Sequence, residues 1–438
     1  MPRLMFAVVL IAASFAASAE TPYVVSGYVT AVTSGSEFDL EGVHVRLTPA
    51  TQFRTRDKIA NSTATATRPG SFYVGEAMDA EGKYDRATHS VTASQVTLVP
   101  DAPATVSGTA IIDLIPAAPA DLPYGERMIR ADGYLLHVKS TTKLSFADPL
   151  KSISDISTNQ WIRYSGVQQL DGTVLLDYAG IGPNGTGKTE QKIRGKTEYD
   201  PSAVSDSKRQ SGFSKAFIGM NPKRIPAYHD EALQARVQRI GESLIPAYQR
   251  ALPDSDPSKI HFRFQVVDAT KWHDALQMPS GVVIVPHDIV ERLQNDSQLA
   301  TVLADNIAEV LEEDALRALP TARASTAANL AGDAAGIFVP GLGLATSLGT
   351  YKVQKHVQNL QLEQSGRVSL DLLHDAGYDI AQAPLAWWTL ASKTPKPLEQ
   401  IPLPPRAATL YMALGTTWHS GAPAANSGAA EKPSGLQQ

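Results

Sequence analysis

From Tyr23 to Ile181 polar and apolar positions alternate in short runs rich in β-branched and aromatic residues, broken by Gly, Asp and Pro. That is the period-two pattern of half-buried strands. The pattern also repeats. Val25-Ser26-Gly27 returns as Val106-Ser107-Gly108, Gly42 with an alternating run to Thr51 returns as Gly133 with a run to Thr142, and Tyr73-Val74-Gly75 returns as Tyr164-Ser165-Gly166. The last two matches share an offset of 91 residues and the first is shorter by 10, as an insertion in one loop would produce. Two tandem small β-barrel modules are predicted, residues 20–100 and 101–181. Periodicity then stops: residues 182–225 collect Gly, Ser, Thr, Pro, Lys and Arg, the make-up of a basic flexible linker.

From Pro226 the apolar spacing becomes three to four residues. The stretch HDEALQARVQRIGESLIPAYQRAL predicts a surface helix, IHFRFQVVDATKWHDALQMPSGVVIVP is β-rich, and a short helix spans about His287 to Leu293. Asp296 is placed to cap a longer helix through about Leu316, and further helical patterns run over roughly 350–375 and 386–391. The run from Ala334 to Tyr351 carries no charge over 18 residues, but Pro340 and several glycines break it, which suits a packed hairpin rather than a membrane span. Residues 416–438 have the composition of a disordered tail. The fold class expected is α+β multidomain: two barrels, then a mainly helical domain over 226–415 with a small edge sheet.

Composition narrows what such a chain does. A length of 438 residues exceeds what one core usually holds, and a net charge of −5 gives no basic field for nucleic acid. Residues 1–19 join Arg3, an apolar run from Leu4 to Ala17 and an Ala17-Ser18-Ala19 cleavage pattern, so they read as a signal peptide cut after Ala19, with the protein periplasmic or secreted. The chain has no cysteine, which removes disulfides and thiolate metal sites.

Sequence motifs are few. Gly182 to Thr189, GPNGTGKT, fits the phosphate-loop pattern, but no helix with an apolar face follows and no nucleotide is expected. There is no G-x-S-x-G elbow, and the ten histidines show no H-x-x-x-H or H-x-H spacing. What stands out is VLADNIAEVLEEDA, residues 302–315, a helix with Asp305 and Glu309 one turn apart and no histidine.

The surroundings of those acids carry a resemblance. MPSGVVIVPHDIVERLQNDSQLATVLADNIAEVLEED is similar to the segment of HtpX-like and CaaX-prenyl-protease-like zinc metallopeptidases that runs from an edge strand into the active-site helix. Pro279, Gly281, Val283 and Val285 match the strand, and Gln298-Leu299-Ala300 with Val302-Leu303-Ala304 matches the approach to the metal motif. Ser369 to Ala391, with Ala376-Gly377-Tyr378-Asp379, resembles the helix after the third ligand, and PLPPRAATLYMAL echoes the closing H-P-x-x-x-x-R segment. The resemblance covers about residues 228–415 and implies a zincin-like domain in which H-E-x-x-H holds zinc and its Glu is the general base. Here the two histidine positions are Asp305 and Glu309, the base position is Asn306, and the third ligand falls on Gln364 with Glu363 beside it.

The resemblance therefore implies a pseudo-peptidase. It leaves no catalytic residue and no cofactor, with Asp305, Glu309 and Gln364 as the only candidate ligands if some metal binds, and Arg367 as the expected counter-charge to the acids. Its strand Gly281, Val282, Val283, Ile284 and Val285 is the expected site for an extended polypeptide or envelope-protein partner. Two alternatives stay open: a divergent hydrolase built on Asp305 and Glu309, and a binding protein whose β modules do the work.

Overall fold

The computed structural model describes residues 22–57, 62–100, 104–185, 190–191, 194–195, 227–268, 274–313, 348–392 and 394–418, with backbone alone for 348–361. Residues 1–19, most of the expected linker, the uncharged run up to residue 347, the last four residues of the phosphate-loop-like segment and nearly all of the tail lie outside these.

The alternating region forms two closed barrels. Strands β1 (Tyr23–Ser34), β2 (Glu37–Leu40), β3 (Val43–Asp57), β5 (Ala77–Asp85) and β6 (Ser90–Leu98) close in the order β1-β2-β3-β6-β5, with β3 and β6 parallel and β4 (Ser62–Ala66) extending β3 outward. The second barrel repeats this with β7 (Ala104–Leu114), β8 (Arg127–Ala131), β9 (Tyr134–Val138), β12 (Val174–Pro183) and β11 (Gln160–Gln168), where β9 and β12 are the parallel pair and β10 (Lys143–Phe146) lies along β12. Closure leaves no long unpaired edge, and the Greek-key connectivity is that of OB-type barrels. Each barrel is filled by its own cluster of inward residues, among them Phe38, Leu40, Val45 and Met78 in the first, and Ile112, Ile129, Leu136 and Ile162 in the second.

The repeat is real in two of its three parts. The β2–β3 and β8–β9 hairpins turn on Glu41-Gly42 and Asp132-Gly133, where all four residues have positive φ, the requirement of a type I′ turn. In each barrel the turn acid folds back over a glycine of the first strand. A Cβ at Gly27 would overlap the Glu41 carboxylate, and one at Gly108 the Asp132 carboxylate. The third match is corrected: Tyr73-Val74-Gly75 precedes β5, whereas Tyr164-Ser165-Gly166 lies inside β11. The structural partner of Gly166 is Gly82, since both sit where the strand register shifts.

The remainder is helical around a three-stranded sheet. Helices α1 (Glu231–Leu244) and α2 (Ala247–Ala251) precede β13 (Arg263–Val267), β14 (Leu276–Gln277) and β15 (Val282–Pro286). They are followed by α3 (His287–Arg292), α4 (Asp296–Leu311), α5 (Leu348–Asp375), α6 (Gln382–Leu390) and α7 (Pro405–Ala413). Asn295, not Asp296, caps α4, its side chain accepting from the Gln298 amide, while Asp296 binds Arg236 and Arg239. Helix α4 is buried on nearly every side between α1, α5 and α6, the position of a central helix rather than a surface one.

The sheet order β13-β15-β14 overturns one expectation: β15 is the central strand, not an edge. Val282 to Val285 pair with β13 on one side, β14 contacts Val283 and Ile284 on the other, and all four are buried. A continuous apolar run of this kind is what a strand covered on both faces requires.

The modules are not beads on a tether. Ile111 of β7 is part of the helical region's core, and Tyr28, Val74 and Trp161 of the barrels pack against it. Both I′ turns make close approaches: Gly42 lies against Trp388, and a Cβ at Gly133 would overlap Arg367.

Candidate functional site

The expected site lies on the inner face of α4. Asp305 and Glu309 fall one turn apart there, and the cation that meets them comes from the far end of the chain. Pro404 and Pro405 start α7, with no amide needed at its first turn, and this sets Arg406 over α4. Arg406 Nη2 lies 3.0 Å from Asp305 Oδ2 and 3.3 Å from Glu309 Oε1, and Nη1 donates to Asp274 Oδ2 at 2.6 Å. The guanidinium also lies 4.1 Å from the Trp387 ring centroid, a cation–π contact. Gln277 of β14 donates its amide to Glu309 Oε2. Arg406, not Arg367, is therefore the counter-charge to this acid pair.

The electrostatics follow from burial. Asp305 is 2% exposed, and loss of water pushes its carboxyl up while Arg406 pulls it down. Arg406 is raised by Asp305, Asp274 and Glu309, against desolvation, so the guanidinium stays charged. Three carboxylates around one guanidinium hold a locked ion cluster. Neither acid is a free base.

The other two expected positions point elsewhere. Asn306 donates to the Val302 carbonyl of its own helix at 2.8 Å, and its buried Oδ1 has no partner among the described residues. An amide cannot take a proton from water, and this one is turned into its helix. Gln364 faces the second barrel: its amide donates to Thr109 O at 3.0 Å and to Glu312 Oε2 at 3.2 Å, and Glu312 accepts in turn from the Ile111 amide. Asp305, Glu309 and Gln364 thus do not form the expected ligand corner. Among the described residues no group of three or more His, Cys, Asp or Glu is arranged to hold a metal.

Arg367 belongs to a different contact. Its Nη2 lies 2.5 Å from Asp132 Oδ1 and its Nε donates to Asp132 O at 3.0 Å, with Tyr164 Oη donating to Asp132 Oδ2 at 2.6 Å. Helix α5 is pinned in this way onto the β8–β9 turn.

One cluster was missed in the sequence. Arg130 of β8 donates to Asp113 Oδ2 at 2.8 Å and 2.6 Å, reaches Asp375 at 3.1 Å and 2.5 Å, and lies 3.5 Å from Asp371. Burial pushes Asp371 up to about 7, against the pull of Arg130, whereas the half-exposed Asp375 is drawn down to about 2, partial desolvation being outweighed by hydrogen bonds from His374 and Arg130. Asp113 is also raised by burial. The signal was present as SLDLLHD, two acids four apart on one helix, but the arginine that answers them is more than 200 positions away. In sequence it is one basic residue among many.

Comparison with known proteins gives no match to a family model and none to a curated protein.

Proposed function

We propose that the chain is an exported, non-catalytic relative of the zinc metallopeptidases, working in the cell envelope as a binding scaffold. The observation that carries this reading is Arg406. It sits on Asp305 and Glu309, the two helix positions that the resemblance assigns to zinc ligands, so that an internal guanidinium supplies the positive charge a metal would bring. Asn306 in place of the general base, bonded back to its own helix, points the same way. A carboxylate hydrolase on Asp305 and Glu309 is disfavoured because both acids are engaged with Arg406.

A polypeptide partner, in this reading, does not add to β15, whose main chain is paired on both sides. Among the described residues the outer strands of this sheet are β13 and β14, and Gln277 of β14 already touches Glu309. The test is elemental analysis of the purified full-length chain beside cleavage of casein with and without chelator. The expected result is no stoichiometric zinc and no chelator-sensitive cleavage; zinc at one equivalent with chelator-sensitive cleavage sinks the proposal.

A further inference from the structure

On the outer face of the second barrel, three adjacent strands form an open pocket of about 530 Å³. Strand register builds it. Ser165 of β11 stands opposite Ser107 of β7 on one side and Tyr178 of β12 on the other. Two residues back along β11, and so on the same face, Arg163 stands between Thr109 and Gly180. Gly180 leaves the room that a side chain would take, since a Cβ there would lie 2.6 Å from Tyr178 Oη. The tyrosine hydroxyl is thus laid over the strand position next to Arg163.

Of the polar groups of this pocket, Thr109 O and the Tyr164 hydroxyl are engaged in the fold, but four side chains are not. Arg127 and Arg130, the other arginines of this barrel, are bonded to Ile153 O and Asp113. Arg163, Ser107, Ser165 and the Tyr178 hydroxyl make no hydrogen bond or ion pair among the described residues. No aliphatic side chain lines the pocket, which argues against an apolar ligand. The three strands are interior members of a closed barrel, so a polypeptide cannot add to them as a further strand.

We propose that this pocket binds an anionic sugar unit. A guanidinium fork matches the two oxygens of a carboxylate or phosphate, and three hydroxyls that each donate and accept match sugar hydroxyls that do the same. The volume suits one or two sugar rings, lying within the usual range of about 300–1,000 Å³ for small-ligand sites.

The experiment is titration calorimetry of the full-length chain with glucuronate, glucose 6-phosphate, glucose and inorganic phosphate. At least one of the two anionic sugars is expected to bind saturably, about tenfold or more tightly than glucose or inorganic phosphate. Arg163→Gln should weaken that binding about tenfold, and Tyr178→Phe by a smaller factor, with thermal unfolding midpoints unchanged because both side chains face outward. Equal binding of glucose, equal binding of inorganic phosphate, no binding of either anionic sugar, or an undiminished Arg163→Gln variant each overturns the assignment.

Discussion

A buried carboxylate needs a cation close by, and two helices of this protein each carry one, Asp305 and Asp371, with a second acid four residues on. Asp305 and Glu309 on α4 are answered by Arg406 of α7, and Asp371 and Asp375 on α5 by Arg130 of β8. Like charges one turn apart repel by a few tenths of a kcal/mol when exposed, and more when water is excluded. Each arginine therefore holds a place that no neutral residue can fill. Arg406→Ala should lower stability by about 3–5 kcal/mol in chemical denaturation, because it strands Asp305 without a counter-ion. Arg406→Lys should recover only part of that loss, since one ammonium cannot reach Asp274, Asp305 and Glu309 in the same plane or stack equally well on Trp387. A loss below about 1 kcal/mol for Arg406→Ala would mean that the cluster is solvated and the acids free.

At the scale of elements, the I′ turns serve two purposes. They set the register of the β2–β3 and β8–β9 hairpins, and their small residues let the helical region approach the barrels. Gly133 and Gly125 separate these effects, for both have positive φ, but a Cβ meets Arg367 at the first and open space at the second. Gly125→Ala should cost about 1–2 kcal/mol from backbone strain alone. Gly133→Ala should cost clearly more, because α5 must also back away from the turn, and equal losses at the two positions would show that the close approach is energetically idle. Central placement of β15 makes a similar point. Val283→Ala removes buried methyl groups and should destabilise by about 1–3 kcal/mol, whereas the same change in a solvent-facing edge strand would cost little.

For the molecule as a whole, the attachment of the second barrel to the helical region rests on charges that titrate. Asp371 is raised to about 7 from its ordinary value of 3.8, chiefly by burial, so its folded form holds the proton more tightly than the unfolded chain does. Its stabilising contribution is full below the unfolded value and is lost as pH rises through about 7. Asp375 has the opposite sign: lowered to about 2, it stabilises above its ordinary value and loses that contribution as pH falls toward 2. Unfolding followed by urea between pH 5 and about 8 should therefore show stability falling with rising pH, and Asp371→Asn should flatten the slope. An unchanged slope in that variant would remove Asp371 from the account.

The sequence alone determined the local order of this protein. Period-two alternation marked both barrels, the returning runs after Gly42 and Gly133 marked their repeat, three-to-four spacing marked the helices, and the apolar run at Val282–Val285 marked a strand, because each of these is set by neighbours within a few residues. It also exposed the acid pair on α4 and the missing histidines. Only the tertiary structure decided which strand of the small sheet is central, that Arg406 rather than Arg367 meets the acids, that Gln364 turns to Thr109, and that Arg130 closes a cluster with α5. The sheet order is settled by strands within about twenty residues of one another, and the three side-chain choices by contacts across about one hundred residues or more. A buried charge is satisfied by whatever partner the fold delivers to it in space, and no spacing along the chain encodes which partner that is.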